Sequence, residues 1–224
     1  RRAHALAPGR GERIVRAGVL VYVTLLVSIP LLTLVVSGFS DGIGVFLERI
    51  TLPVARDAIW LTLWTALLVA VINMVLGTAT AWVLVRYNPP GRAFISALVD
   101  LPLAIPTLVA GIMIAILFGP TSMLGQRFSA MGIEIVFAKP SIVLALLFVT
   151  VPFVIRAIEP LLEEIDPAEE EAAIVLGAGP FKTFRTVFFP AILPAAISGG
   201  IRSLGRAVGE FGSIVVVAGN IPFE

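Results

Sequence analysis

The chain has 224 residues, 58% hydrophobic and 14% charged, with a formal net charge of +1 and a mean hydropathy of +1.02. Soluble domains carry about 25% charged residues, so the composition excludes an ordinary soluble fold and predicts an integral membrane protein, which the long apolar runs below make all-α; the near-neutral charge gives no basis for a nucleic-acid partner. With no cysteine and a single His4, disulfides and thiolate metal sites are excluded and no metal site is expected.

A basic head, residues 1–18, carries Arg1, Arg2, Arg10, Arg13 and Arg16. The apolar run that follows, 19–39, is long enough to span a bilayer, for which about 20 residues suffice. A cleaved signal peptide has a shorter apolar core of about 7 to 15 residues, so this run is read as an uncleaved span. Residues 40–56 form a polar connection. A second span covers 59–85, bracketed by Trp60, Trp64 and Trp82 as interfacial anchors, and Pro89, Pro90 and Gly91 end it. The third span, 93–118, contains Pro102 and Pro106, which remove backbone donors and leave carbonyls needing partners, the mark of a kink or of a broken helix lining a cavity. The fourth, 140–158, is interrupted at Pro152, and the fifth runs over 194–217.

Orientation follows from Lys and Arg. The head, the turn at 86–92 and the loop at 156–185 carry ten of them, against four on the other side at Arg49, Arg56, Arg127 and Lys139. The N-terminus and the loop at 159–190 are therefore expected in the cytoplasm.

That loop is the one long polar stretch. Six carboxylates lie between Glu163 and Glu171, and at about 2.5 to 3.5 kcal/mol each on insertion scales they stay in water. Pro167 suits the first residue of a helix, Asp166 its cap, and the acidic first turn its dipole; Gly177 suits its end. Ala172 and Ala173 leave a shallow surface, so the element presents itself for docking.

On the fifth span Arg202, Arg206 and Glu210 fall on one stripe, and Gly205, Gly209 and Ser213 form a neighbouring small-residue stripe for close helix approach. Intramembrane charges face protein or a water-filled path. Two readings stand side by side: a favourable field for an anion in a pore, or ion pairs of Arg206 with Glu210 and of Arg202 with Asp100 on the third span. No G-x-x-x-x-G-K-[ST] loop and no catalytic constellation occurs, so the chain is not read as an enzyme and no catalytic residue is assigned.

The order Glu171-Ala172-Ala173, three residues, Gly177, nine residues, Val187, one residue, Phe189-Pro190 resembles the EAA loop of binding-protein-dependent ABC importer permeases, with Val187 and Phe189 where that family usually has Ile and Leu. The likeness extends to Tyr87-Asn88-Pro89-Pro90-Gly91-Arg92, Asp100-Leu101-Pro102 with Pro106-Thr107, Val151-Pro152-Phe153-Val154-Ile155-Arg156, and Arg206 to Ser213 with Ala218-Gly219-Asn220. Over these stretches the chain looks like the sulfate/thiosulfate permeases, with molybdate permeases next.

The resemblance implies a type I importer permease domain over 19–224 in the bacterial inner membrane. Glu170, Glu171, Ala172, Ala173, Gly177 and Pro190 would couple it to ABC ATPase subunits. The further partners implied are a second homologous permease, a periplasmic anion-binding protein, the lipid bilayer, and sulfate or thiosulfate as cargo. The chain itself would bind no cofactor; ATP-Mg would sit on the ATPase subunit. Pro102, Pro106 and Pro152 are kink or gate candidates. A further C-terminal span, common in such permeases, is expected beyond residue 224, with one or both ends truncated. The rival class is an anion transporter driven by proton or sodium gradients, using Asp100 and Glu210 as titrating carboxylates; a third is a membrane sensor or scaffold.

Overall fold

A computed structural model describes residues 10–219. Most of the basic head, with Arg1, Arg2 and His4, and the Asn220 end of the last motif lie outside these residues. The chain divides into two units, Arg1–Asp57 and Ala58–Glu224.

In the first unit, α1 (Arg10–Phe39) is a 30-residue helix, extending the expected span back into the head, where Glu12 pairs with Arg16 one turn on. The connection read as simply polar contains a helix, α2 (Ile43–Thr51). Its Phe46 ring lies 4.4 Å from that of Phe39.

The next helix, α3 (Pro53–Trp82), continues as a π-helical turn, Val83–Tyr87. Asn88 at φ 41 and Gly91 at φ 80 then reverse the chain into α4. The expected third span is two helices, α4 (Arg92–Ala104) and α5 (Thr107–Phe118), bent by 112°. Ile105 between them is extended, because a residue preceding proline is pushed out of the helical region, and Pro106 has no N–H to continue the ladder. A short helix α6 (Met123–Ala130) follows, its cap Ser122 accepting from the Gly125 N–H.

Helix α7 (Lys139–Glu164) runs without a break through Pro152 and Pro160, where an interruption at Pro152 was expected. Proline is tolerated within a span when neighbouring helices hold both halves and the freed carbonyl finds another partner; here Pro152 is buried. Then come α8 (Pro167–Val175), α9 (Pro180–Thr183), a second π-helical turn Phe184–Phe188, α10 (Phe189–Val208) and α11 (Gly212–Val217). The fifth run thus also breaks, between α10 and α11. Among the described residues there are up to five crossings, since four single helices and the bent α4–α5 pair, counted as one, are long and apolar enough.

The core forms where α10 lies along α7, with α4 also packed on α7 and α11 against α5. Val154, Ile155, Ile158, Leu162, Phe188 and Ile192 are almost wholly buried. Lipid-facing helices gain little from the hydrophobic effect and pack through small residues, and Gly77 and Gly199 do this: a Cβ on either would lie 2.8 Å from Val154 atoms. The small-residue stripe expected at Gly205, Gly209 and Ser213 is not continuous, because Gly209 closes α10 and Ser213 belongs to α11; a Cβ on Gly205 would meet nothing within 4 Å.

Candidate functional site

The loop helix α8 is built locally. The Asp166 carboxylate accepts from the Ala168 N–H at 2.9 Å, Pro167 needs no partner at N1, and Glu169 and Glu170 sit at the positive end of the dipole. At the other end Gly177 has φ 80; its N–H donates to the Ile174 carbonyl at 2.9 Å and that of Ala178 to Ala173 at 3.0 Å. This paired pattern is a Schellman stop, which needs a left-handed residue and favours glycine. Beyond the acidic turn the surface is apolar and bare: Val175 and Leu176 are each 84% exposed and Phe181 77%. Large exposed apolar patches rimmed by polar residues occur at protein-partner, ligand or membrane surfaces.

The six residues picked for coupling do not all share that surface. Glu171 and Ala172 are exposed and Ala173 is half-buried. Glu170 turns back into the chain and pairs with Arg86. Pro190 stands apart, in the first turn of α10. Of the tryptophans read as interfacial anchors, Trp82 meets Phe184 and Phe188 edge-on at 5.1 and 4.9 Å, while Trp60 and Trp64 are exposed.

A second polar region lies among the helices. Asp100 does not meet Arg202: it takes a bidentate bond from Arg156, Nε and Nη2 both at 2.7 Å. Helix α4 packs on α7, and Asp100 faces α7. Arg156 also donates to the Ser96 carbonyl and hydroxyl at 2.9 and 2.7 Å and pairs with Glu159, and one end of the same contact is closed by Arg92 with Glu163. Arg156, near the end of the expected 140–158 span, was counted with the charges of the aqueous loop and given no partner on a neighbouring helix. The overlooked signal is opposite charges spaced eight apart on α4 and seven apart on α7, as two antiparallel helices require. Arg202 is exposed and has no ion pair among the described residues.

Arg206 does pair with Glu210, at 2.5 Å. Glu210 also holds the start of the next helix. Its Oε1 accepts from the Ser213 N–H at 2.8 Å and the Ser213 hydroxyl at 3.0 Å, starting α11 as a capping carboxylate does. The Thr107 hydroxyl at the start of α5 also faces it. Gly111 brings α5 against α11, since a Cβ there would lie 2.6 Å from the Ser213 carbonyl oxygen. The breaks after Pro102–Pro106 and after Gly209 therefore meet at one point, while Pro152 makes no break. A third polar group went unread: Asn73 on α3 donates to Thr150 on α7 at 2.7 Å and to Ser203 on α10 at 3.2 Å, all three fully buried.

Residues 73–223 match the family described as "Binding-protein-dependent transport system inner membrane component". The chain belongs to this family. Among relatives of this permease, a "Probable sulfate transport system permease protein cysT" of Helicosporidium sp. is 44% identical over 206 residues, covering 92% of this chain and 76% of the relative. The protein of the same name from Nephroselmis olivacea is 42% identical over 205 residues, 92% and 72% of the two chains. The "Sulfate transport system permease protein CysT" of Synechocystis sp. is 40% identical over 205 residues with the same coverage. The match agrees with the helical, multi-pass architecture, and the matched region contains both broken helices and α8. The permease is thus a polytopic component of a binding-protein-dependent transport system.

Proposed function

We propose that the chain is a transmembrane subunit of an ATP-driven importer that carries sulfate or thiosulfate into the cell. The observation that carries the reading is the pairing of a family match over most of the chain with relatives named for sulfate transport at 40 to 44% identity. Its spans lie in the inner membrane of a bacterial cell, with the N-terminus and α8 on the cytoplasmic side, an orientation that the Lys and Arg distribution supports.

A separate ATPase subunit holds ATP-Mg and receives α8 through Glu171, Ala172, Ala173 and the bare Val175–Leu176 end. A second homologous permease completes the path, and a periplasmic binding protein delivers the anion. Closure of the ATPases draws α8, rocks α3 and α10 against α7 at the tight Gly77–Val154–Gly199 contact, and opens the outward side; release of ADP and phosphate reverses the movement. Arg206 is neutralised by Glu210, so the positive field offered to a divalent anion on α10 comes from exposed Arg202.

The test is vesicle uptake by the reconstituted complex with internal ATP and no ion gradient. Sulfate or thiosulfate uptake with anion-stimulated ATPase is the expected result. Stimulation by molybdate in place of sulfate would assign a different anion, and uptake that requires a proton or sodium gradient would overturn the ATP-driven reading.

A further inference from the structure

Two adjacent glutamates of the loop helix face opposite ways. Glu171 is exposed; Glu170 reaches back to Arg86, 84 residues earlier in the chain, and the side chains of the pair are only 24% and 33% exposed. The guanidinium is held from a second direction, since its carbon lies 4.6 Å from the Phe188 ring centroid and 5.9 Å from that of Trp82, within cation–π range. Arg86 and Phe188 each belong to a π-helical turn, Val83–Tyr87 and Phe184–Phe188. Such turns give up regular helical bonding and recur at functional sites, and here two meet at one side chain. A cleft of about 470 Å³ opens beside them, lined among others by Tyr87, Ile174 and Ala178.

The connectivity gives this junction its consequence. Helix α8 packs against α9 and the second π turn, both reached along its own chain. Among the described residues, its charged link to a different part of the fold is Glu170 to Arg86. Arg86 sits where α3 turns into α4, and α4 is fastened to α7 by Arg92–Glu163 and Asp100–Arg156 and ends at the 112° break before α5. We infer that the Arg86–Glu170 pair is the tie by which movement of α8 is passed to the α3–α4 corner, with Arg86 as a positioning residue for coupling and Glu170 engaged inward, not on the ATPase. The inference rests on the reading of α8 as the docking helix. A partly desolvated, charge-assisted pair resists being pulled apart as well as pushed together, whereas an apolar contact slides. The guanidinium over the Phe188 ring, bonded at the same time to Glu170, makes arginine the fitting cation, since lysine offers a point charge without the planar fork.

The test uses the complete complex with its ATPase and binding protein. Arg86→Glu, Glu170→Arg and the combined reversal are compared for membrane level, co-purification of the ATPase, and the ratio of sulfate-stimulated to unstimulated ATP hydrolysis. Each single reversal is expected to keep the ATPase bound while the ratio falls about tenfold, as loss of a coupling contact does, and the combined reversal to recover within about threefold of wild type. Arg86→Lys falls between. Glu170→Gln, close in volume, serves where a reversal lowers membrane level, and a wild-type ratio in it refutes the tie. So does a combined reversal no better than the worse single variant. If Glu170→Arg sheds the ATPase and Arg86→Glu does not restore it, Glu170 is a docking residue: the tie falls and the docking reading stands. If the wild-type complex shows neither ATPase binding nor stimulation, the docking reading falls and takes the tie with it.

Discussion

Replacing Arg206 by alanine leaves the Glu210 carboxylate, 1% exposed, without its charge partner. Breaking a fully buried pair from one side costs about 3 to 5 kcal/mol. Because Arg206 is 33% exposed and Glu210 keeps its two bonds from Ser213, the expected loss is smaller, about 2 to 3 kcal/mol. Glu210→Ala releases Arg206 toward water but strips the cap from α11, at about 2 to 3 kcal/mol for bonds to a charged acceptor together with the pair. In the double variant no unpaired charge remains and only the cap is missing, so the cost stays near about 2 kcal/mol, not the sum of the singles. At about 2 to 4 °C per kcal/mol for a chain of this length, each single variant should lose about 4 to 12 °C in the temperature at which half the purified protein stays monodisperse in detergent. The double variant should be no worse than Arg206→Ala. Losses that simply add would refute the pairing, and transport that falls in Arg206→Ala with stability unchanged would assign the charge to the pore field instead.

Gly199→Leu forces a side chain into a position where even a Cβ would sit 2.8 Å from the Val154 Cα and 3.1 Å from the Phe153 carbonyl oxygen; overpacking of about 1 to 3 kcal/mol should lower the same melting temperature, while Gly205→Ala, whose Cβ would meet nothing within 4 Å, should not lower it. Cysteine at Ser129 should react with an impermeant thiol reagent from outside and cysteine at Ala168 only from inside; the native chain has no cysteine to interfere, and labelling of both from one side would overturn the layout. Asn73→Leu removes the donor shared by Thr150 and Ser203 and leaves both hydroxyls buried, costing about 1 to 3 kcal/mol, measured by the same detergent assay; an unchanged melting temperature would show that the three side chains do not hold the helices together.

What the sequence made readable was local. The Asp166 cap, Pro167 at N1 and the Gly177 stop depend on residues within one turn of each other, and each is found where its spacing placed it. The Arg206–Glu210 pair is likewise one helical turn apart. Partners across helices were not readable: Asp100 was matched to Arg202 by depth alone, and only the packing of α4 on α7 brings it to Arg156. Prolines gave the right warning at Pro106 and the wrong one at Pro152, because whether a helix breaks depends on what packs around the freed carbonyl. The Glu210 break was hidden for the same reason: its carboxylate reads as an i, i+4 partner of Arg206 until its cap on Ser213 is seen. Glu170 and Glu171 are alike in sequence and differ only through Arg86, contributed from 84 residues away.

The central claim is that α8 couples this permease to an ATPase, and Gly177→Asp tests it most directly. Gly177 has φ 80, yet a Cβ there meets no atom of the chain within 4 Å, so the variant bears only the conformational strain of a left-handed residue, about 1 to 2 kcal/mol, at an exposed point outside the spans. Membrane abundance, ATPase co-purification and ATP-dependent sulfate uptake are measured together. Abundance near wild type with uptake abolished, and with the ATPase lost or no longer stimulated, is the predicted result; full uptake with normal stimulation would contradict the account.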